Sequence, residues 1–320
     1  MNKTSIVVFP VNNSYMDAVV HDFLMQPEVS KCCHSRNKWL RKLQYYHTSI
    51  KANKFFKLPF QSIWYPTYIP KPYESDVQYI FLFYQGTPLG YDKNFLLYLR
   101  KLYKGAKLCF YWNNISSTVS EDYITLVNTE YDVVYTFDKN DVKKYGWRFY
   151  DVMYSDISKW DLPKMEASDL FFIGSAKNRL DLIHGIYDKF QSMGYKCDFH
   201  IVNVPREEQT RPGIVYNERM SYLEVLGHSA STKIILEIVQ DGQIGATLRS
   251  FESILLRKKL LTNNKGILSS NFNSGVVFLF EKLDDIHPNK IIASPIDGKE
   301  LETLSNYLKP ERFISDLKEA

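Results

Sequence analysis

Thr232-Lys-Ile-Ile-Leu-Glu-Ile-Val239, then Gln240, then Asp241-Gly-Gln-Ile-Gly-Ala-Thr-Leu-Arg-Ser-Phe-Glu252 is the stretch that decides the reading of this chain. Its first part is a short apolar run of the kind a buried parallel strand needs. Its second part carries Gly242 and Gly245, which let the backbone turn tightly and approach a ligand, before a helix opens near Ala246. Such a strand–loop–helix unit aims free N–H groups and the positive end of a helix dipole at the carboxyl edge of a sheet. Open α/β sheets bind their ligands at that edge, and a phosphate suits it. Thr247 adds a hydroxyl donor and Arg249 a forked cation, a pair suited to a diphosphate.

Helical spacing extends this picture. Gly245, Arg249 and Glu252 fall at i, i+4 and i+7 on one side, while Leu248, Phe251 and Leu255 form the buried side. Glu252 stands ~10 Å beyond the helix start at 1.5 Å per residue. A carboxylate there reaches the ribose of a nucleotide whose diphosphate sits at the helix end. On spacing alone the alternative is a surface i, i+3 ion pair between Arg249 and Glu252. A second loop, Phe172-Ile-Gly-Ser-Ala-Lys-Asn-Arg179, also joins a strand to a helix. Gly174 and Ser175 can offer backbone N–H groups there, with Lys177 or Arg179 as counter-charge. Both loops are expected at one edge of one sheet.

Working outward, strand and helix patterns alternate in both halves. The first half reads TSIVVFP, a helix from Ser14, VQYIFLFY, a helix from Asn94 to Tyr103, AKLCFYW and DVVYTF, with Asp138 as a helix cap. The second half reads DLFFIG, a helix from about Lys177 to Met193 ended by Gly194, then CDFHIVNV, a helix around 221–227, TKIILEIV and KKLLTN. Helical patterns near 298–308 and 310–317 close the chain. Low-propensity text over 154–168 separates the halves. The expected fold is α/β, two Rossmann-like doubly wound domains facing a cleft, over 1–160 and 161–320, with the last helices crossing back.

Composition fits this. The 320 residues are 45% hydrophobic and 24% charged, which excludes a disordered chain. The four cysteines form no CxxC pair and no metal-like spacing with histidine. No apolar run of eighteen residues exists and the N-terminus lacks a signal-peptide core, so a cytoplasmic protein is expected, with peripheral contact to the inner face of the plasma membrane as an option. The +4 net charge is uneven: residues 31–73 hold nine Lys/Arg and no Asp/Glu, so the remainder carries −5 (+4 less +9). Ten Trp, Tyr and Phe interleave with those cations, a pattern suited to an anionic lipid surface or to a plain solvated basic face. Nucleic acid is not expected as a partner, because no nucleic-acid motif accompanies the segment.

The segments FIGSAKNR and GQIGATLRSFESILLRKKLLTNN resemble the donor domain of bacterial GT-B glycosyltransferases that build capsule, lipopolysaccharide or exopolysaccharide, and YDVVYTFDKNDVKKYG is similar to the end of their first domain. The resemblance spans about residues 131–264. It implies a nucleotide-diphosphate sugar as co-substrate, no further cofactor, and a glycan or lipid-linked glycan as acceptor. Phosphate contacts are implied for Gly174, Ser175, Thr247 and Arg249 and ribose binding for Glu252, with Gln243 and Gly245 beside the sugar or diphosphate. Many retaining relatives carry a Glu-x7-Glu pair, but Ile244 stands eight residues before Glu252, so the stereochemistry stays open. There is no Asp-x-Asp in the chain, and no catalytic metal is expected. Asp92 and Asp138 are candidate bases for the acceptor hydroxyl, with Asp141 a third and helix capping the alternative for Asp138. Trp112 and Asn113, closing the strand AKLCFYW, are candidate acceptor contacts. Rival functions are a non-catalytic nucleotide- or glycan-binding partner, a nucleotide-sugar epimerase and a polyol-phosphate transferase.

Overall fold

Continuous apolar runs form the central strands of two separate parallel sheets. The computed structural model describes residues 3–9, 14–32, 37–49, 56, 60–69, 73–114, 116, 119–151, 153–239 and 246–320. The chain divides into two compact units, residues 1–155 with 310–320 and residues 156–309. Among the described residues no helix is long and apolar enough to cross a membrane.

Unit 1 runs β1 (Lys3–Phe9), α1 (Ser14–Leu24), β2 (Val29–Lys31), α2 (Lys38–Thr48), β3 (Val77–Tyr84), α3 (Lys93–Leu102), β4 (Lys107–Trp112), α4 (Glu121–Glu130), β5 (Val133–Thr136), α5 (Lys139–Tyr145) and β6 (Arg148–Phe149). The sheet order is β2-β1-β3-β4-β5-β6, all parallel. VQYIFLFY becomes β3 because a strand covered on both faces needs apolar side chains at every position. The core is strongly aromatic: Phe9 stacks on Phe83 at 4.3 Å, and Phe95 of α3 meets Phe9 edge-on at 5.7 Å. Asp92 starts α3 by accepting from the Asn94 and Phe95 amides at 3.1 and 3.3 Å.

Unit 2 runs β7 (Ser168–Ser175), α6 (Leu180–Ser192), β8 (Cys197–Val202), β9 (Ile214–Tyr216), α7 (Tyr222–Ser231), β10 (Thr232–Glu237), α8 (Leu248–Leu255), β11 (Lys259–Thr262), β12 (Val277–Leu279), α9 (Pro288–Ala293) and α10 (Gly298–Tyr307). The order β12-β11-β10-β7-β8-β9 is again all parallel. The unit's first strand, β7, thus lies beside its fourth, β10, which makes their junction the topological switch point of the sheet. α6 stops where Gly194 takes φ +82° and returns its N–H to the Gln191 carbonyl at 2.9 Å.

The final helix, α11 (Pro310–Glu319), belongs to unit 1. Its Phe313 packs among Tyr111, Tyr135 and Tyr150, and its Arg312 and Asp316 pair with Asp151 and Arg148 at 2.6 and 2.7 Å. Three helices, α2, α4 and the short α9, arise where the sequence pattern predicts none. α2 forms inside the basic segment, started by the Asn37 side chain accepting from the Trp39 and Leu40 amides. α4 forms although Ile124, Thr125, Val127 and Thr129 are β-branched, because Ile124 and Val127 are buried against the unit 1 core. The strands β2, β6, β9 and β12 are two or three residues long, too short to show a period.

Candidate functional site

β7 and β10 pair in parallel, with Thr232 opposite Ser168 and Ile235 opposite Phe171. The loops after Ser175 and after Val239 therefore leave the same edge of the unit 2 sheet, at the switch point. Residues 240–245, including Gln243 and Gly245, lie outside the described residues. The chain resumes at Ala246, and Thr247 caps α8: its hydroxyl accepts from the Arg249 amide at 3.1 Å, and its own N–H donates to Ser250 Oγ at 3.2 Å.

Thr247 also donates its hydroxyl to Glu237, the last residue of β10. The same carboxylate accepts from Thr262 Oγ1 at 2.5 Å, at the end of β11. One buried acid thereby joins the ends of two strands to the start of a helix. Burial pushes the Glu237 carboxyl above the usual carboxylate range, against the hydrogen bonds of Thr247, Thr262 and Asn264 and the positive charge of Arg249. Val239 is fixed in turn by donating its N–H to Asn263 Oδ1 at 2.7 Å.

Arg249 and Glu252 do form the i, i+3 pair, but not at the surface. Glu252 is 0% exposed, whereas 21% of the Arg249 side chain remains accessible. Glu252 Oε1 accepts from the Tyr222 hydroxyl of α7 at 2.6 Å, and Oε2 is held by Arg249 Nη1. A carboxylate removed from water needs such partners, which is why the helix presents it toward α7. Both oxygens are held and the group is closed to solvent, so a ligand hydroxyl reaches it only by displacing a neighbour.

On the β7 side, Ser175 is the last strand residue, and its hydroxyl accepts from Asn203 Nδ2 at 3.0 Å. At Gly174 an added Cβ would stand 3.1 Å from the Phe172 ring, so this glycine keeps the strand end narrow. The left-handed turn after it is taken by Lys177, at φ +45°. Arg179 does not stand as a free counter-charge. It donates to the Ser175 carbonyl at 2.7 Å and to the Ile238 carbonyl, clamping the ends of β7 and β10 together. Its burial lowers the affinity of the guanidinium for its proton.

The unit 1 candidates sit in structural roles. Asp92 caps α3 and also accepts from the Tyr65 hydroxyl at 2.8 Å. Asp138 is buried and caps α5 through the Asn140 amide at 2.7 Å. Asp141 accepts from the Ser116 amide and hydroxyl at 3.2 and 2.5 Å. Trp112 is fully buried, its ring 5.0 Å from that of Trp147, so it fills the core and offers no platform to a ligand. Asn113 is half-buried, with Nδ2 3.8 Å from Met16 Sδ. Sequence reasoning missed Glu237 and Tyr222. The available signal was an acid inside an apolar strand, since such a residue requires partners.

No protein-family model and no curated protein matches the sequence. Solved structures do match in shape. Trehalose-6-phosphate synthase OtsA superposes with a TM-score of 0.62 at 10% identity, covering 99% of both chains. The structure described as trehalose-6-phosphate from E. coli bound with UDP-2-fluoro glucose gives 0.61 at 12% identity, again covering 99% of both. An alpha-glucosyltransferase in complex with UDP-glucose and abasic DNA gives 0.55 at 10% identity, over 95% of this chain and 94% of that one. Two Rossmann-like parallel α/β domains, a switch point in the second flanked by two loops, and these superpositions establish that the chain has the GT-B fold.

Proposed function

We propose that the protein is a glycosyltransferase that moves a sugar from a nucleotide-diphosphate donor to a glycan or lipid-linked glycan acceptor in cell-surface polysaccharide synthesis. Unit 2 is the donor domain in this reading. The observation that carries it is that β7 and β10 end at one sheet edge at the switch point, with a hydroxyl-capped start of α8 and Arg249 and Glu252 on that helix. The diphosphate sits beside Gly174, Ser175 and the start of α8, where the Thr247 N–H is itself held by Ser250 Oγ, and Arg249 neutralises the charge that grows on the leaving nucleotide. Glu252 receives the ribose hydroxyls once the donor displaces a neighbour that closes it from solvent, Tyr222 or Arg249 giving way. Gln243 and Gly245 border the sugar. Arg179 acts as a clamp in this reading, its two terminal nitrogens holding the Ile238 and Ser175 carbonyls while its buried Nε makes no hydrogen bond. No metal is required where a helix end and a guanidinium carry the phosphate charge.

Unit 1 serves the acceptor. Asp92 is the stronger candidate base: both acids cap helices, but Asp138 is buried and Asp92 half-buried. Contact with an anionic membrane is supported by α2, where Trp39, Leu40, Leu43, Tyr45 and Tyr46 are exposed among Lys38, Arg41 and Lys42. Two of the superposed proteins are named with uridine-diphosphate sugars, so that nucleotide family heads the test. Melting of the protein is to be followed against uridine, guanosine, adenosine and thymidine diphosphates and their sugars without metal. One family should raise the melting temperature, by ~2.7 kcal/mol of stabilisation at a hundredfold excess over Kd, and Glu252→Gln should remove the shift. A flat response across the panel by folded protein sinks the donor-site reading.

A further inference from the structure

The donor reading leaves one cluster in unit 2 unused. Asp198 and His200 are i and i+2 on β8 and so project from one face, in a strand that alternates buried Cys197, Phe199 and Ile201 with half-buried Asp198, His200 and Val202. His228 reaches the same point from the last turn of α7. Asp198 lies between the two rings, with Oδ1 2.9 Å from His200 Nε2 and Oδ2 2.6 Å from His228 Nδ1. One ligand atom from each residue falls within 4.8 Å of the other two, and this is the one such trio that includes histidine among the described residues. The rings are held in place: His228 stacks on Phe171 at 5.3 Å and 12°, and meets His200 at 5.0 Å. Between 12% and 20% of each side chain stays accessible, enough for an ion to enter. Asp198 is one residue into β8 and His228 closes a helix running back against the sheet. The trio therefore lies away from the edge where the β7 and β10 loops emerge.

We propose that Asp198, His200 and His228 form a binding site for a zinc-type divalent ion that ties α7 to β8. Two imidazoles and one carboxylate, with room for water, are the donor set such an ion takes, whereas magnesium and calcium favour oxygen ligands. Proton balance permits it. Each neutral ring moves its proton to the nitrogen facing away from Asp198, and the ion takes the vacated lone pairs. The site is separate from the donor loops, and its test does not depend on sugar transfer.

Chelator-treated protein is loaded with Zn2+, freed of excess by gel filtration, and measured for metal per chain and for melting temperature. The expected result is one Zn2+ per chain and a raised melting temperature. Both should be lost in His228→Ala and in Asp198→Asn, which keeps the shape of the trio, and retained in His287→Ala, an exposed histidine elsewhere. Metal content at background, or a melting shift that persists in Asp198→Asn, overturns the proposal. If the variants fail to fold, Co2+ titration of the unaltered chain decides. An intense visible band marks a low-coordinate site with imidazole ligands, and a weak one marks a hydrated surface ion and overturns it.

Discussion

In unit 1 the carboxyl ends of β1 and β3 meet through Phe9 stacked on Phe83, with the Thr87 hydroxyl donating to the Phe9 carbonyl at 2.8 Å. In unit 2 the corresponding ends of β7 and β10 meet through Arg179, and Glu237 ties the end of β10 to α8 and β11 through Thr247 and Thr262, with Glu252 and Arg249 on the adjoining helix. Both edges close a parallel sheet beside its switch point, yet one is filled with rings and the other with charge. Removing a carboxylate and a guanidinium from water costs free energy that an apolar filling would not. Under the proposed function, the donor site bears that cost. The aromatic edge states what this chain does when only packing is at stake.

The largest expected effect tests the apolar side. Phe83→Ala should lower the unfolding free energy by about 3–5 kcal/mol in urea, the usual cost of a large core cavity, while donor binding per folded molecule stays within a factor of two. If binding falls in step with stability, the division between the two edges is broken. Arg249→Ala should do the reverse, cutting kcat/KM for transfer by roughly 10²–10³-fold, the loss typical of one donor aimed at developing charge. Arg249→Lys sharpens it: retention of charge without the fork should recover only part of the rate. The smallest effect is one of pH. The Glu237 carboxyl is raised in the folded protein, so its contribution to stability is fully present below the ordinary carboxylate value and is lost as pH rises through the raised one. Glu237→Gln should flatten that decline in melting temperature above about pH 4, leaving the response below it unchanged.

How much of this was legible from the residues depended on how local each signal was. The runs TSIVVFP, VQYIFLFY, DLFFIG and TKIILEIV declare themselves because a strand buried on both faces must be apolar throughout. The cap at Asp138 follows from residue type and position. The side of α8 that carries Glu252 follows from its period, but the direction that side faces does not. It turns toward Tyr222 only because α7 packs against α8. Arg179 looked like a counter-charge from its place before a helix, and its reach to the Ile238 carbonyl exists only once β7 and β10 are neighbours. Trp112 looked like a strand end open to a ligand, and the Trp147 ring beside it comes from a distant part of the chain. In each case the missing information was a neighbour distant in sequence.

The return of α11 to unit 1 sets an order of events during synthesis. Unit 2 is one uninterrupted segment, so it can close as soon as residue 309 has left the ribosome. Unit 1 begins earlier but cannot finish, because Phe313 has yet to cover Tyr111, Tyr135 and Tyr150. The half made first is therefore completed last. Loss of residues 310–320 would leave its aromatic face open to chaperones and proteases while the other half is whole.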